Sequence, residues 1–314
     1  MLKLKVSAKY KACHLELLGK RFDDEMGAWN PHAANFPPLT NKLHRFLLSQ
    51  REQILIGAVS QLREVVRQIN NIMPDLPPYL QSRPKKKSPL YRDDMESLIK
   101  VFGDVFDYGK FIYKSVGWNA YKLVESHGLR ICPYCHLHHV NYHGQTTKKL
   151  KTLEMRPPLD HFLPKSIYPY LAVSLHNLVP CCHQCNSSIK GDNDPALRVP
   201  HPFDLQEILD MSFSVKSSAL ALSGVTDEEL KLEVTGNGAW SEFVSFFHLQ
   251  PRYQWYADEV KDMLKRGREF KEFDGVVQSL VRRPAFILGF EPDDVQRRAL
   301  GLCLREIASQ QGLV

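Results

Sequence analysis

Apolar residues recur at helical spacing along much of the N-terminal half of the chain. Over residues 41–73 they fall at intervals of three and four with charges between them, which predicts one long amphipathic helix ending before Pro74. A second helical stretch is predicted over residues 93–127, with interruptions near Gly103, Gly109 and Gly117. The N-terminal part of the chain is therefore expected to be helical.

The pattern changes after Gly128, where helical periodicity gives way to short segments rich in Cys, His, Pro and Asn. This composition is typical of a small module organised by a metal ion rather than by a large apolar core. Helical spacing returns toward the C-terminus. The elements predicted there are helices over residues 204–211, 241–247, 257–273 and 293–310, and a strand over residues 230–234.

Together these patterns predict a mainly α protein with a small central α+β module. We expect a helical N-terminal region over residues 1–128, the metal-organised module over residues 129–203, and a helical C-terminal region over residues 204–314. Prolines and lysines in residues 74–89 predict an exposed linker inside the first region.

Composition narrows the class of protein only modestly. The N-terminus lacks the continuous apolar stretch of a signal peptide, and no apolar run approaches the length of a membrane span, so we expect a soluble cytoplasmic protein without a membrane partner. A net charge of +6 is compatible with a polyanionic partner but does not identify one. The sequence has no P-loop, so an ATPase acting with this chain would be another protein.

The seven cysteines give the clearest chemical signal in the sequence. Four of them form two Cys-x-x-Cys knuckles, Cys132 with Cys135 and Cys182 with Cys185. Each knuckle can present two thiolates to one tetrahedral ion, and thiolates select Zn²⁺ over Mg²⁺. In a cytosolic chain, clustered cysteines indicate metal binding rather than disulfides. The sequence therefore predicts a closed structural zinc site.

Other assignments of these residues stay open from the sequence alone. A Cys-x-x-Cys pair can be redox-active, although no thioredoxin-like pattern of strand and helix surrounds either knuckle. Cys181 adjoins Cys182 and could replace it as a ligand, but packing is the favoured interpretation. Cys13 and Cys303 are expected to be core thiols. Four histidines after the first knuckle are either alternative ligands or, as favoured, part of a polar loop: His136, His138, His139 and His143.

Residues suited to phosphodiester hydrolysis lie at and between the knuckles. That reaction needs a base for water, a cation for the developing charge, and a scaffold that aligns them. His161 is the candidate base, because an imidazole titrates near neutrality. Asp160 and the amide oxygen of Asn186 are candidate ligands for Mg²⁺, which prefers oxygen. Since neighbouring residues of a strand point to opposite faces, Asp160 and His161 share a site only if the strand twists or ends there.

The ordered set of Asp160-His161, Asn177 and Asn186 around the knuckles resembles the HNH endonuclease family in its ββα-metal form with a four-cysteine zinc site. The resemblance implies a hairpin followed by a helix, with Mg²⁺ or Mn²⁺ held by Asp160 and Asn186. It further implies that His161 activates water, that Asn177 braces the hairpin and orients His161, and that cleavage leaves 5′-phosphate and 3′-hydroxyl ends. Asn186 occupies the position of the final histidine of the HNH motif, where the family tolerates asparagine.

Basic residues near this site are candidates for holding nucleic acid. Lys165 and Lys190 flank it and are suited to sequence-independent phosphate contacts. A further basic stretch precedes it, comprising Lys148, Lys149, Lys151 and Arg156. Phosphate contacts do not by themselves distinguish DNA from RNA, and DNA is the favoured substrate. His201, near the end of the module, either reaches the site or caps a turn.

Two motifs at the edges of the module extend the resemblance. Phe106-Asp107-Tyr108 ahead of the first knuckle, and a later His201-Pro202-Phe203-Asp204, are similar to motifs of PtuB-like HNH effectors in Septu-type and retron-associated anti-phage systems. This similarity implies an ATPase protein partner that docks on the flanking helices. The alternatives are a non-catalytic zinc module that binds nucleic acid or protein, and a restriction or homing enzyme, for which no base-reading domain is recognisable.

Overall fold

The structure is a computed structural model that describes residues 3–112, 117–143, 155–195, 199–204, 210–216 and 230–314. Helices dominate these residues, which agrees with the predicted mainly α class. The helices are α1 (Ala8–Ala28), α2 (Thr40–Ser49), α3 (Arg51–Ile56), α4 (Val59–Ile72), α5 (Leu76–Ser82), α6 (Asp93–Val105), α7 (Tyr108–Ile112), α8 (Ala120–His127), α9 (Ala239–Phe246), α10 (Leu249–Gln254), α11 (Ala257–Glu272), α12 (Gly275–Leu280), α13 (Arg283–Leu288) and α14 (Gly301–Gln310). The strands are β1 (Leu159–His161), β2 (Leu178–Pro180), β3 (Met211–Lys216) and β4 (Lys231–Gly236).

The prediction of one continuous helix over residues 41–73 is wrong, because α2, α3 and α4 replace it. The break between α3 and α4 falls at Gly57, whose backbone is extended (φ −60°, ψ 152°). A Cβ at Gly57 would lie 2.2 Å from the carbonyl oxygen of Gln53, so only glycine permits this close turn. The predicted end before Pro74 is confirmed, since α4 ends at Ile72.

The segment 74–89, predicted to be an exposed linker, contains the helix α5. Its prolines occupy the first turn of the helix, where a missing backbone N–H costs little. Leu76, Tyr79 and Leu80 are buried, and the Tyr79 hydroxyl donates to Glu96 at 2.9 Å. The prediction of an exposed linker is therefore wrong for α5. Most residues of the basic stretch that follows, residues 83–87, are exposed.

The predicted stretch over residues 93–127 consists of α6, α7 and α8. The helices break near the predicted glycines, since α6 ends at Val105, α7 begins at Tyr108, and Gly117 (φ 106°) precedes α8. Gly103 and Gly109 themselves lie inside α6 and α7. A glycine inside a helix costs only about 1 kcal/mol relative to alanine, which the packing of α6 outweighs. The Asn119 side chain caps the start of α8 by accepting from two backbone N–H groups, and the left-handed Gly128 caps its end.

The C-terminal region combines helices with the antiparallel pair of β3 and β4. The predicted strand over residues 230–234 corresponds to β4, and the predicted helices over residues 241–247 and 257–273 correspond to α9 and α11. The predicted helix over residues 204–211 lies mostly outside the described residues, and its last residue, Met211, belongs to β3. Side-chain amides of Gln250 and Gln254 on α10 bond to the backbone of β4.

The predicted helix over residues 293–310 is divided into a 3₁₀ turn, Pro292–Arg297, and α14. Leu300, between them, has a left-handed backbone (φ 59°), and its N–H donates to the carbonyl of His136 at 3.0 Å. At Gly301 a Cβ would lie 2.3 Å from the Val295 carbonyl oxygen. The prediction of one continuous helix is therefore wrong. At the break, the hydrogen bond of Leu300 connects the start of α14 to His136, the residue after the first knuckle.

Buried apolar side chains from all three predicted regions form one continuous cluster. Cys303 is buried in it and Cys13 packs against it partly buried, as expected for core thiols. The region boundaries after residues 128 and 203 stay predictions. In the described part of the chain, no helix combines the length and hydrophobicity needed to cross a membrane.

Candidate zinc centre and adjoining cleft

The two knuckles bring four buried thiols together. The Sγ atoms of Cys132, Cys135, Cys182 and Cys185 all lie within 4.8 Å of one another. The Cys135 and Cys182 sulfurs are 3.9 Å apart, too far for a disulfide. Tetrahedral zinc with bonds of about 2.3 Å places its sulfurs about 3.8 Å apart, so the donor set and the spacing both fit structural Zn²⁺.

Backbone N–H groups surround these sulfurs. Leu137 N–H donates to Cys135 Sγ at 3.5 Å, Cys182 N–H to Cys132 Sγ at 3.3 Å, and Cys185 N–H to Cys182 Sγ at 3.4 Å. Such donors stabilise the negative charge of metal-bound thiolates and hold them in position. The knuckles are therefore suited to closed, structural coordination.

The other candidate ligands are not part of this group among the described residues. Cys181 is fully buried but does not belong to the four-thiol cluster, which agrees with a packing role. His136 is buried beside Cys135 with a left-handed backbone (φ 55°), while His139 and His143 are exposed. Burial lowers the pKa of His136 to about 3, which keeps its ring neutral.

The C-terminal region contacts the zinc centre through α10. Both terminal nitrogens of Arg252 lie 3.5 Å from Cys185 Sγ, and one of them also donates to the Phe247 carbonyl at 3.0 Å. The next residue, Tyr253, donates its hydroxyl to the Cys135 carbonyl at 2.9 Å. One helix thus touches both knuckles, and the Arg252 charge would offset part of the negative charge of four metal-bound thiolates.

A short hairpin and a helix build the cleft beside the knuckles. Strands β1 and β2 pair antiparallel, with Asp160 opposite Val179 and His161 opposite Leu178. The helix that follows, Gln184–Lys190, is a π-helix in which Gly191 N–H donates to the Asn186 carbonyl at 2.9 Å. Single π-turns of this kind are frequent at functional sites.

The cleft has a volume of about 310 Å³. Because β1 ends at His161, the backbone turns there and both Asp160 and His161 reach the cleft, as the sequence required for a shared site. Its polar lining includes Asp160, His161, Lys165, Asn186, Lys190 and Asp192. Asn186 is partly exposed, and its amide nitrogen donates to Ser187 Oγ at 3.0 Å.

His161 is held in one orientation. Its Nε2 lies 2.8 Å from the Ala172 carbonyl oxygen, which can only accept, so Nε2 carries the proton and Nδ1 is a free base. The Tyr108 ring packs edge-on against the imidazole, with centroids 4.5 Å apart. Burial, with smaller contributions from the charges of Lys165 and Lys190, lowers the pKa of His161 to about 3, although the hydrogen bond to Ala172 opposes this shift. The imidazole is therefore neutral at pH 7.

Asp160 is buried and bonded at both oxygens. The Tyr134 hydroxyl donates to Oδ2 at 2.6 Å, and Lys190 Nζ lies 3.1 Å from Oδ1. Burial raises the pKa of Asp160, and the Lys190 ammonium and the Tyr134 hydroxyl oppose that rise. Tyr134 lies between the two cysteines of the first knuckle, so the zinc centre and this carboxylate are joined by one side chain.

The expected Mg²⁺ ligands match in chemistry but not in arrangement. Asp160 and Asn186 offer the oxygens that Mg²⁺ prefers, and both line the cleft. The Asp160 carboxylate, however, already pairs with the Lys190 ammonium. A divalent ion on the same carboxylate would lie about 4 Å from that ammonium, where repulsion is about 8 kcal/mol at an effective dielectric of 20. The Lys190 ammonium therefore disfavours Mg²⁺ at Asp160 in this arrangement.

Asn177 lies inside the loop between β1 and β2. Its amide nitrogen donates to the carbonyls of Leu163 (3.0 Å) and Leu171 (3.1 Å), and its amide oxygen accepts from Leu163 N–H at 2.8 Å. The residue is fully buried and does not line the cleft. This arrangement fits a positioning role rather than a catalytic one, because Leu171 directly precedes Ala172, whose carbonyl contacts His161 Nε2.

The two lysines predicted to contact phosphate have different environments. Lys165 is exposed at the cleft, with its ammonium 5.3 Å from the centre of the Tyr108 ring. Lys190 is only 1% exposed and bonds to Asp160 and to the His161 carbonyl at 2.8 Å. In this arrangement Lys190 is not available to a phosphate, contrary to the prediction. The basic residues Lys148, Lys149 and Lys151 lie outside the described residues.

His201 caps a turn beside the module, one of the two roles considered for it. Its Nδ1 accepts from Phe203 N–H at 3.2 Å, and its ring packs on Phe162 with centroids 4.1 Å apart. The ring is buried and is not part of the cleft lining.

Comparisons with protein-family models, with curated proteins and with solved structures find no match. The argument for function therefore rests on the geometry of the cleft and on the resemblance of the sequence motifs. Three residues of that geometry were not singled out as site residues from the sequence: Tyr108, Tyr134 and Arg252. Tyr108 and Tyr134 stand in motifs that carry the resemblance, but Arg252 had no local signal because it acts across a long separation in sequence.

Proposed function

We propose that this chain is an endonuclease of the HNH type, which hydrolyses nucleic-acid phosphodiester bonds with His161 as general base. The observation that carries the proposal is the state of the His161 ring. Its Nε2–H is fixed on the Ala172 carbonyl, which leaves Nδ1 unprotonated, and the residue lines a polar cleft. The exposed Lys165 at the same cleft is suited to hold a phosphate.

In the proposed reaction, a water molecule gives its proton to His161 Nδ1 as its oxygen attacks phosphorus. The bond from phosphorus to the leaving oxygen then breaks, and that oxygen takes a proton from solvent water. By the family resemblance the products carry 5′-phosphate and 3′-hydroxyl ends. An anionic phosphate entering the cleft raises the pKa of the imidazole and so favours this transfer. A divalent cation, Mg²⁺ or Mn²⁺, when bound, would stabilise charge on the leaving oxygen.

Zinc has a structural part in this proposal. The four thiols position Tyr134 against Asp160 on one side and Asn186, the residue after Cys185, on the other. We propose further, from the sequence motifs alone, that the chain is a PtuB-like effector of an anti-phage defence system and works with an ATPase partner. DNA is the favoured substrate.

A cleavage assay tests the proposal directly. Plasmid, single-stranded DNA and bulk RNA are incubated with purified protein and Mg²⁺ or Mn²⁺, with and without the products of neighbouring genes. His161→Ala is expected to lower cleavage about 10²- to 10⁴-fold, the usual contribution of a general base. His139→Ala, an exposed histidine of the same module, is the matched control and should cleave as the wild type does. Equal cleavage by the two variants would show that His161 is not the base.

A non-catalytic zinc module is the second candidate, and one observation favours it. Both Asp160 oxygens are bonded inside the protein, to Tyr134 and Lys190, as expected of a purely structural carboxylate. Under this alternative no substrate is cut with either metal, while binding to nucleic acid or to a protein persists in His161→Ala.

A further inference from the structure

The Lys190 ammonium lies among oxygen atoms of the kind that bind metal cations. It is 3.1 Å from Asp160 Oδ1, 2.8 Å from the His161 carbonyl oxygen and 3.5 Å from the Gly191 carbonyl oxygen. A carboxylate and two carbonyls are hard ligands that also suit divalent cations. The side chain is 1% exposed although it lines the cleft, so its charge is directed inward onto these oxygens.

We propose that Lys190 is an internal counter-ion that competes with a divalent cation for Asp160, so that the cation binds only when the ammonium withdraws. This inference rests on the proposed function, because it concerns how the nuclease site would acquire its metal. The ion pair of Asp160 with Lys190, which opposes Mg²⁺ binding, would then control the activity of the site.

The charges around the cleft support competition rather than joint occupancy. Besides Asp160, the cleft lining carries one further carboxylate, Asp192, which accepts from Ser166 Oγ at 3.4 Å. Asp160 and Lys190 neutralise each other, so the closed site offers a divalent ion no uncompensated charge at Asp160. Removal of the ammonium leaves a buried carboxylate without its positive partner, which strongly favours capture of another cation.

The cleft leaves room for the lysine to move. Lys190 is the last residue of the π-helix, and its side chain borders the cleft of about 310 Å³. Rotation about its side-chain bonds can therefore carry the ammonium from Asp160 into the cleft without refolding the helix. There it would meet an incoming phosphate, so substrate and metal would favour the same displacement.

Binding of Mn²⁺ alone, followed by electron paramagnetic resonance, tests the competition. Lys190→Met removes the charge but keeps much of the side-chain volume, and Lys165→Met is the matched control because it removes an exposed charge from the same cleft. Lys190→Met is expected to bind one Mn²⁺ about tenfold or more tightly than the wild type, as removal of a like charge a few ångströms away predicts. Asp160→Asn added to Lys190→Met should abolish that binding. Equal Mn²⁺ affinity of the two lysine variants would overturn the proposal.

Chemical labelling of the wild-type protein provides a test that does not depend on the variant folding. Lysines are acetylated with a water-soluble ester, with and without saturating MgCl₂, and the label on each is quantified by mass spectrometry. Metal should increase the labelling of Lys190 several-fold, while that of Lys165 stays constant. Labelling of Lys190 that does not respond to metal would contradict displacement.

These measurements separate the inference from the proposed function. Tight Mn²⁺ binding by Lys190→Met in a protein that cuts no nucleic acid would support the competition and refute the nuclease. Metal-dependent cleavage, with Mn²⁺ affinity unchanged by Lys190→Met and Lys190 labelling unchanged by metal, would support the nuclease and refute the competition.

Discussion

Replacing Asn177 with alanine removes three buried hydrogen bonds to the backbone of one loop. The lost partners are the N–H and C=O of Leu163 and the C=O of Leu171. Asn177 is fully buried, so solvent does not readily take over these bonds. Each group left unpaired costs about 1–3 kcal/mol, and partial relaxation of the loop lowers the sum, so Asn177→Ala is expected to destabilise the protein by about 3–5 kcal/mol.

Urea unfolding followed by circular dichroism measures this loss. Asn186→Ala is the matched control in the same module, because Asn186 is partly exposed and its amide nitrogen donates to the neighbouring Ser187. That control should change stability by no more than about 0.5 kcal/mol. If Asn177→Ala lost less than about 1 kcal/mol, these hydrogen bonds would not brace the hairpin and the positioning role would be wrong.

The same substitution should also change the state of His161. Asn177 fixes the Leu171 carbonyl, and the next residue, Ala172, accepts the His161 Nε2–H. The ¹⁵N shifts of the imidazole report which nitrogen carries the proton. In wild type they should show the Nε2–H form alone, and in Asn177→Ala a mixture of both forms, under conditions where the variant remains folded. An unchanged tautomer would show that Asn177 stabilises the loop without orienting His161.

Two further predictions concern the metal centre and pH. Cys182→Ser should lose its zinc on dialysis while Cys181→Ser, the buried neighbour outside the cluster, retains one zinc per chain by atomic absorption; equal zinc contents would exclude Cys182 as a ligand. His14 is buried, its Nε2 donating to the Val173 carbonyl and its Nδ1 accepting from Trp118, and burial lowers its pKa to about 4. The unfolded chain binds this proton near pH 6.5, so stability present above that pH should fall by about 3 kcal/mol as the pH drops to about 4. Urea midpoints across this range should fall less in His14→Gln than in the wild type, and an identical pH dependence would show that His14 contributes nothing.

The four-thiol cluster and the cleft are joined at two points. Tyr134 lies within the first knuckle and donates to Asp160, while Asn186 directly follows Cys185 of the second. Loss of zinc would therefore displace groups on both sides of the cleft even though zinc performs no chemistry there. Conversely, a zinc-free protein that kept its activity would contradict this coupling.

The sequence alone determined those features that depend on local chemistry. Two Cys-x-x-Cys knuckles predict a four-thiol centre, because the turn of each knuckle presents both sulfurs to one ion, and the cluster is confirmed. Helical periodicity likewise predicted α9 and α11, since a repeating apolar face must pack wherever the helix lies. Pro74 predicted the end of α4, because a proline cannot continue a helix. The chemistry proposed for His161 still awaits its assay.

Tertiary structure decided the features that depend on residues distant in sequence. The helix predicted over residues 41–73 breaks at Gly57, and the freed Gly57 carbonyl accepts from His176 Nδ1 at 2.7 Å in the hairpin loop. Arg252 reaches Cys185 from the C-terminal region. Periodicity describes one helix at a time and cannot anticipate such contacts.

Lys190 shows the same limit at the candidate site. From the sequence, Lys190 was predicted to contact phosphate at the surface, because it lies near an Asp-His pair and most lysines are solvated. Only the fold brings its ammonium beneath β1, where a buried carboxylate requires a positive partner. The residue types at the cleft were thus set by the sequence, whereas the pairing of Asp160 with Lys190 was set by the tertiary structure.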